Sequence, residues 1–157
     1  MEKLETVNPP VQRSSVEAMV TKYNQIAMNL MAEKKFVEAV AFLKKAERLL
    51  FDQKYLVEDS QRSKLLSLTL NNLSCYYKKT RKPNAALFYI QNALEIELKD
   101  ETVDPVVLAG THLNVCAILQ SLKNYSTAVT SAKCAIDLVF RALVAKTGVG
   151  IDGNSLE

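Results

Sequence analysis

Apolar residues recur at steps of three and four along most of the chain, and no glycine occurs from residue 15 to residue 109. This spacing is typical of α-helices and not of strands. It predicts six helices, at 15–34, 36–55, 60–80, 83–99, 105–122 and 125–146. Pro83 and Pro105 suit first helical turns, where the missing N–H is not needed. Asp104 is a predicted N-cap, and Ser14 with Glu17 a predicted capping box that opens the first helix.

Three windows of the chain repeat one pattern of small and large apolar residues. Each window is anchored on an alanine with a second alanine seven residues later: Ala39 and Ala46, Ala86 and Ala93, Ala128 and Ala135. Twelve residues before the anchor there is a small residue: Ala27, Ser74 or Cys116. Small residues at fixed positions let two helices approach closely. Because one helical hairpin cannot bury such a surface alone, the pattern predicts that three hairpins stack.

These windows resemble the tetratricopeptide repeat family. They are YNQIAMNLMAEKKFVEAVAFLKKAERLL from Tyr23, LNNLSCYYKKTRKPNAALFYIQNALEIE from Leu70 and HLNVCAILQSLKNYSTAVTSAKCAIDLV from His112. The anchors lie 47 and 42 residues apart, against about 34 in the standard repeat. The proline that usually closes the second helix is replaced by Phe51, Leu98 and Phe140. Both departures resemble the long repeats of the kinesin light chain-type subclass, which the second window matches best.

The resemblance implies an all-α fold, a right-handed α-solenoid of three helix-turn-helix repeats, over residues 15–146. It also implies a protein-interaction module that binds an extended peptide or a helix in a concave groove lined by the first helix of each repeat. Segments 1–14 and 147–157 are expected to be flexible. The candidate peptide-binding residues are Asn24, Gln25, Met28, Asn71, Asn72, Cys75, Lys78, Lys79, Asn114 and Gln120.

Carboxamides occupy one equivalent position in all three repeats: Gln25, Asn72 and Asn114. An amide side chain both donates and accepts hydrogen bonds, so it can pair with the backbone of a bound peptide whatever the sequence of that peptide. The alternative is that these amides tie neighbouring helices of the repeat array together. The sequence leaves both functions open.

The last predicted helix carries apolar residues on more than one face, whereas the terminal helix of a solenoid normally turns a polar face to solvent. Val139, Phe140 and Leu143 are therefore predicted to form an interface. The partner would be another protein or a second copy, which makes a structural assembly subunit the alternative function. Two further explanations are that the chain is a piece of a longer array, or that the helix is rotated relative to our prediction.

Composition and charge argue against nucleic-acid binding, secretion and membrane insertion. A net charge of +3 at pH 7 is too mild to indicate nucleic-acid binding. The basic run KKTRK, from Lys78, is predicted to be a solvated helix end. The amino-terminal residues lack the apolar stretch of a signal peptide, and no apolar run is long enough to span a membrane. The three cysteines lack CxxC spacing, and Cys116 and Cys134 are expected to be packing residues in a reducing compartment. We expect a cytoplasmic protein, and the resemblance adds cytoskeletal or ciliary locations.

Little in the sequence indicates catalysis, a cofactor or a metal. It has no GxxxxGK[ST] or GxGxxG motif and no Cys/His set with metal-ligand spacing. The single histidine, His112, occupies a large-residue position of the third repeat and is predicted to pack. Glu95 and Glu97 are predicted to lie on helix exteriors and to point apart. We therefore expect a protein that is not an enzyme and has no cofactor.

Overall fold

Six α-helices follow one another in the computed structural model, which describes residues 10–147. They are α1 (Pro10–Ala32), α2 (Phe36–Asp52), α3 (Asp59–Lys79), α4 (Pro83–Lys99), α5 (Pro105–Ser121) and α6 (Tyr125–Thr147). A short 3₁₀ turn, Lys54–Leu56, lies between α2 and α3, and no strand occurs within residues 10–147. The all-α prediction is confirmed.

The helix boundaries agree closely with the predicted ones except in the first hairpin, where α1 also ends at Ala32, two residues before the predicted end. α4 has the predicted bounds, and α3, α5 and α6 differ from them by one residue at most. α2 ends earlier, at Asp52, because the chain turns there into the 3₁₀ segment. α1 begins at Pro10, so the predicted capping box of Ser14 and Glu17 is wrong: both residues lie inside the helix. The predicted flexible ends fall on 1–9 and 148–157, which are outside the described residues, and on 10–14, which belong to α1.

The predicted helix starts at proline are confirmed. Pro83 and Pro105 are the first residues of α4 and α5. The Asp104 carboxylate caps α5, since its Oδ1 accepts a hydrogen bond from the backbone N–H of Val106 at 2.8 Å. This bond satisfies one of the backbone donors that a helix leaves free at its first turn.

The turn inside each hairpin has one backbone geometry in all three repeats. Lys34, Arg81 and Lys123 lie five residues before their anchor alanines, with φ of 62°, 60° and 60°. In the second repeat the N–H groups of Arg81 and Lys82 donate to the carbonyls of Lys78 and Tyr77. Positive φ with such backward bonds is the usual way for a chain to leave a helix, although glycine is the common residue there. The repeat is therefore visible in the backbone itself.

The hairpins α1–α2, α3–α4 and α5–α6 pack internally and then stack in chain order. All three anchor alanines are buried, as are the alanines seven residues later. The small side chains let the two helices of a hairpin lie close together, as the spacing predicted. The outcome is a helical solenoid of three tetratricopeptide-like repeats.

Candidate interaction surfaces

Four of the predicted groove residues form hydrogen bonds between the first helices of consecutive repeats. Between α1 and α3, Asn24 Nδ2 donates to Thr69 Oγ1 at 2.9 Å. The Asn24 Oδ1 accepts from Asn72 Nδ2 at 2.8 Å. Asn24 is 3% exposed and Asn72 is 8% exposed. Buried amides that satisfy each other in this way contribute to the stacking of the two repeats.

The same bonds recur between α3 and α5. Asn71 Nδ2 donates to Thr111 Oγ1 at 3.0 Å, and Asn71 Oδ1 accepts from Asn114 Nδ2 at 2.9 Å. In both pairs the first asparagine lies fifteen residues before its anchor alanine, and its partners lie seventeen and fourteen residues before the next anchor. We call these two sets, Asn24–Thr69–Asn72 and Asn71–Thr111–Asn114, the asparagine ladder.

The ladder realises the alternative in which the amides tie neighbouring helices. Peptide binding by these four asparagines stays a prediction. Gln25, the third equivalent carboxamide, is exposed and donates to Asn29 within α1 at 3.1 Å. The ladder does not continue at either end, because Lys22 stands at the threonine position of the first repeat and Leu113 at the asparagine position of the third.

The other predicted groove residues differ in how accessible they are. Gln25, Met28, Lys78, Lys79 and Gln120 are exposed on the first helices of the three repeats, so peptide binding by them stays a prediction. Cys75 is half-buried, and this burial raises the pKa of its thiol against the opposing charges of Lys78 and Lys79. At neutral pH the group is therefore a protonated thiol and not a thiolate nucleophile. All three cysteines are free.

The predicted interface on α6 is exposed. Eleven residues after the anchor, Leu50 in the first repeat is 1% exposed and Glu97 in the second is 5% exposed, whereas Val139 in the third is 47% exposed. Leu113, Val129 and Ile136 are also exposed. Leu87 and Leu94, the counterparts of Val129 and Ile136 in the second repeat, pack against the core cluster that contains Val115 of the third. We call Leu113, Val129, Ile136 and Val139 the terminal face.

Phe140 and Leu143, the other two predicted interface residues, lie beside this face and are exposed too. The exposure of Phe140 is less informative, because its counterparts Phe51 and Leu98 are exposed in repeats that have a following neighbour. At the opposite end of the array, α1 presents the polar Lys22 and Gln25 together with the exposed apolar Met19 and Met28.

The sequence interpretation missed a cavity of about 340 Å³ between the second and third repeats. Glu97 lines it and is buried, so the prediction that this residue lies on the helix exterior is wrong. Ser67 Oγ donates to Glu97 Oε1 at 2.5 Å, while Glu97 Oε2 has no hydrogen-bond partner among the described residues. Glu95 is exposed, as predicted, and bonds to Lys99 at 2.7 Å.

His112 lies half-buried in the large-residue position predicted for it. Burial lowers the pKa of its imidazole, and the negative charge of Glu97 opposes that shift. Its Nδ1 is buried without a hydrogen-bond partner among the described residues. The imidazole is therefore neutral at neutral pH. Within residues 10–147 there is no cluster of His, Cys, Asp and Glu side chains suited to a metal ion.

Comparison with known proteins supports the fold. The crystal structure of BtubC (BKLC) from P. vanneervenii superposes with a TM-score of 0.66 at 21% sequence identity. The match covers 88% of this chain and 52% of BtubC, so the chain spans about half the length of that protein. No family model matches the sequence. No curated protein sequence matches it either. None of the helices in the described part is long and apolar enough to cross a membrane.

Proposed function

We propose that the protein is a non-catalytic interaction scaffold whose terminal face binds an apolar helix of a partner protein. The observation that carries the proposal is the change in exposure at one repeat position, from the buried Leu50 and Glu97 to the exposed Val139. Leu50 shares a core cluster with Leu65 of the next hairpin, and Glu97 lines a cavity that Val107 of the next hairpin also lines. A partner helix would take the place of that hairpin.

Two features support an apolar helix as the occupant. Leu113 replaces the ladder asparagine, so the terminal face offers a methyl-rich contact where the other repeats offer an amide. Val129, Ile136 and Val139 add branched aliphatic side chains, which pack well against another helix. A cytoplasmic, cytoskeleton-associated location belongs to the same proposal.

Site-specific photo-cross-linking tests the proposal. The cross-linking amino acid is placed at Ile136 on the terminal face or, as control, at Val37 on α2; these residues are 68% and 79% exposed. We expect one protein to be captured from Ile136 only, through an apolar helical segment that mass spectrometry identifies. Val139→Glu should abolish this cross-link. Equal capture from both positions, or a cross-linked segment that is polar or extended, would contradict the proposal.

A second copy of the chain is the alternative occupant, and it can be distinguished in solution. Size-exclusion chromatography with light scattering should show a monomer if the partner is another protein. The wild-type chain could instead form a dimer that the double variant Phe140→Glu with Leu143→Lys converts to a soluble monomer. In that case the exposed surface of α6 is a self-association surface, and the partner proposal is wrong. Aggregation of that variant with loss of helical circular dichroism would contradict the exposed positions of both residues.

The concave groove remains a second candidate site, supported by the exposure of Met28, Gln25 and Gln120 on the first helices. Substituting Met28→Glu together with Gln120→Ala should leave the asparagine ladder intact. Loss of partner binding with an unchanged melting temperature would assign binding to the groove. Unchanged binding would remove the groove as the site.

A further inference from the structure

We propose that the cavity between the second and third repeats binds an alkylammonium group, which the carboxylate of Glu97 holds. The site is separate from the terminal face, and it adjoins the asparagine ladder, since Asn71 is one of its lining residues. Its walls come from α3, α4, the connection between α4 and α5, and the start of α5.

The first argument is the state of the Glu97 carboxylate. The residue is 5% exposed, and only one of its two oxygens is satisfied, by the hydroxyl of Ser67. The second oxygen, Oε2, is buried and unpartnered among the described residues. A buried carboxylate with an unpaired oxygen is costly unless a donor or a positive charge meets it. A ligand ammonium provides both.

The second argument comes from the matching position in the first repeat. Leu50 stands where Glu97 stands, and Val16 and Val20 stand where the second repeat has Ser63 and Ser67. In the first repeat these residues belong to one closed apolar cluster with Val57 and Leu65. In the second repeat, the smaller polar side chains coincide with the open cavity. A carboxylate and the space for a ligand therefore occur together at a position that apolar side chains fill in the first repeat.

The third argument is the charge of the cavity lining. Glu97, Asp100 and Asp104 face one cation, Lys64. The Asp100 carboxylate is already bonded to the N–H and hydroxyl of Thr102, and that of Asp104 caps α5. These bonds use one oxygen, Oδ1, of each aspartate, and Glu97 differs from both because its unbonded oxygen is buried. Since one oxygen is available and not two, the geometry favours an ammonium over a guanidinium, which prefers to bind both oxygens.

The size and the walls of the cavity fit the alkyl part of the ligand. A volume of about 340 Å³ is within the range of small-molecule sites. Leu68, Ile96, Val103 and Val107 supply apolar walls. An alkyl chain like the stem of lysine can lie against such walls while its ammonium reaches the carboxylate. A divalent metal ion takes several oxygen ligands, and the acidic residues of the lining do not form such a cluster within residues 10–147.

The test is a titration of the isotope-labelled 157-residue chain with n-butylammonium, followed by NMR. We expect saturable shifts in the amide signals of Glu97, Ile96 and Val103. n-Butanol, which has the same alkyl chain without the charge, should bind at least tenfold more weakly. Equal binding of the two probes would overturn the proposal.

Two variants separate the charge from the fold. Glu97→Gln keeps the shape and an acceptor for Ser67, and it should weaken n-butylammonium binding at least tenfold. Glu97→Leu introduces the residue found at this position in the first repeat and should abolish binding, while circular dichroism and thermal unfolding show an intact fold. Retention of full affinity in Glu97→Gln would be incompatible with a carboxylate-held ammonium.

Lys64 lines the same cavity and could supply the ammonium from within the chain. Lys64→Gln distinguishes this case. If the wild-type chain binds no n-butylammonium but the Lys64→Gln variant does, Lys64 is the natural occupant and the ligand proposal is wrong. Absence of binding in both chains would overturn the proposal as well.

A parallel titration with Nα-acetyl-lysine amide identifies the source of the ammonium. Affinity comparable to that of n-butylammonium would indicate a lysine side chain of another protein, because the cavity then admits the flanking backbone. Binding of n-butylammonium alone would indicate a free amine. Both results support the proposed chemistry.

Discussion

The two interfaces between consecutive repeats use the same positions with different chemistry. Between the first and second repeats, Val20 and Leu50 form part of a closed apolar cluster. At the corresponding place between the second and third, Ser67 and Glu97 form a buried polar pair beside a cavity. The asparagine ladder is nevertheless present in both interfaces. The asparagine ladder therefore occurs both beside an apolar cluster and beside a polar pair with a cavity. Two repeats can stack without a closed apolar cluster at this position.

The largest effect is expected when a carboxylate is placed in the apolar interface between the first and second repeats. Leu50→Glu would bury a carboxylate with no serine beside it and no cavity, which should cost about 3 kcal/mol or more of the free energy of unfolding. Urea denaturation followed by circular dichroism measures the cost. The control is Phe51→Glu at the neighbouring exposed position, which should have little effect. Equal effects of the two substitutions would mean that the closed cluster does not seal the first interface.

Overpacking an anchor alanine tests a feature that all three repeats share, the close approach of the two helices of a hairpin. Ala86 is fully buried, so Ala86→Leu should lower the free energy of unfolding by about 1–3 kcal/mol. Ala39→Leu in the first repeat should have a similar effect, because the backbones approach there in the same way. Ala41→Leu on an exposed face is the matched control. Thermal shifts of the same size for Ala86→Leu and Ala41→Leu would disprove the repeat register.

The asparagine ladder offers a comparison of one hydrogen bond in two settings. Asn72→Ala should destabilise by about 1–2 kcal/mol, because it leaves the buried Asn24 oxygen without this donor. Asn114→Ala should cost about 0.5–1 kcal/mol, since its bond to Asn71 is only half-buried.

The double variant, Asn72→Ala with Asn114→Ala, decides between the two functions that the sequence left open for these amides. Because the ladder ties helices together, we expect a lower melting temperature with nearly unchanged affinity per folded molecule for a partner. A tenfold loss of affinity at an unchanged melting temperature would instead show that these asparagines bind the partner in the concave groove.

The smallest expected effect is a pH dependence of the free energy of unfolding, and it arises in the third repeat. Burial lowers the pKa of His112, so the unfolded chain binds a proton more readily than the folded one. The stability from this group is complete above the unfolded pKa of about 6.5 and declines as the pH falls through and below that value. His112→Leu, which copies Leu70 of the second repeat, should reduce the decline. Denaturation between about pH 7.5 and about pH 5 measures it.

Much of the fold follows from the sequence alone. The three- and four-residue spacing and the anchor alanines predicted six helices in three hairpins, because both signals act between residues that are near in sequence or repeat at a fixed stride. Asp104 and Pro105 gave a correct helix start for the same local reason. The start of α1 was mispredicted because Ser14 and Glu17 form a valid capping pattern, yet the helix already begins at Pro10.

The sites depended on the tertiary structure. Asn72 has the same chemistry whether it faces a peptide or Asn24, and its partner lies 48 residues away in the chain. Glu97 looks like an exterior residue because a charge is usually solvated, but a helix in a solenoid is covered on two sides, by its own hairpin and by the next. For the same reason, the exposure of Val139 could be compared with that of Leu50 only once the stacking was known. Local periodicity determined the helices, and contacts between distant repeats decided what each side chain meets.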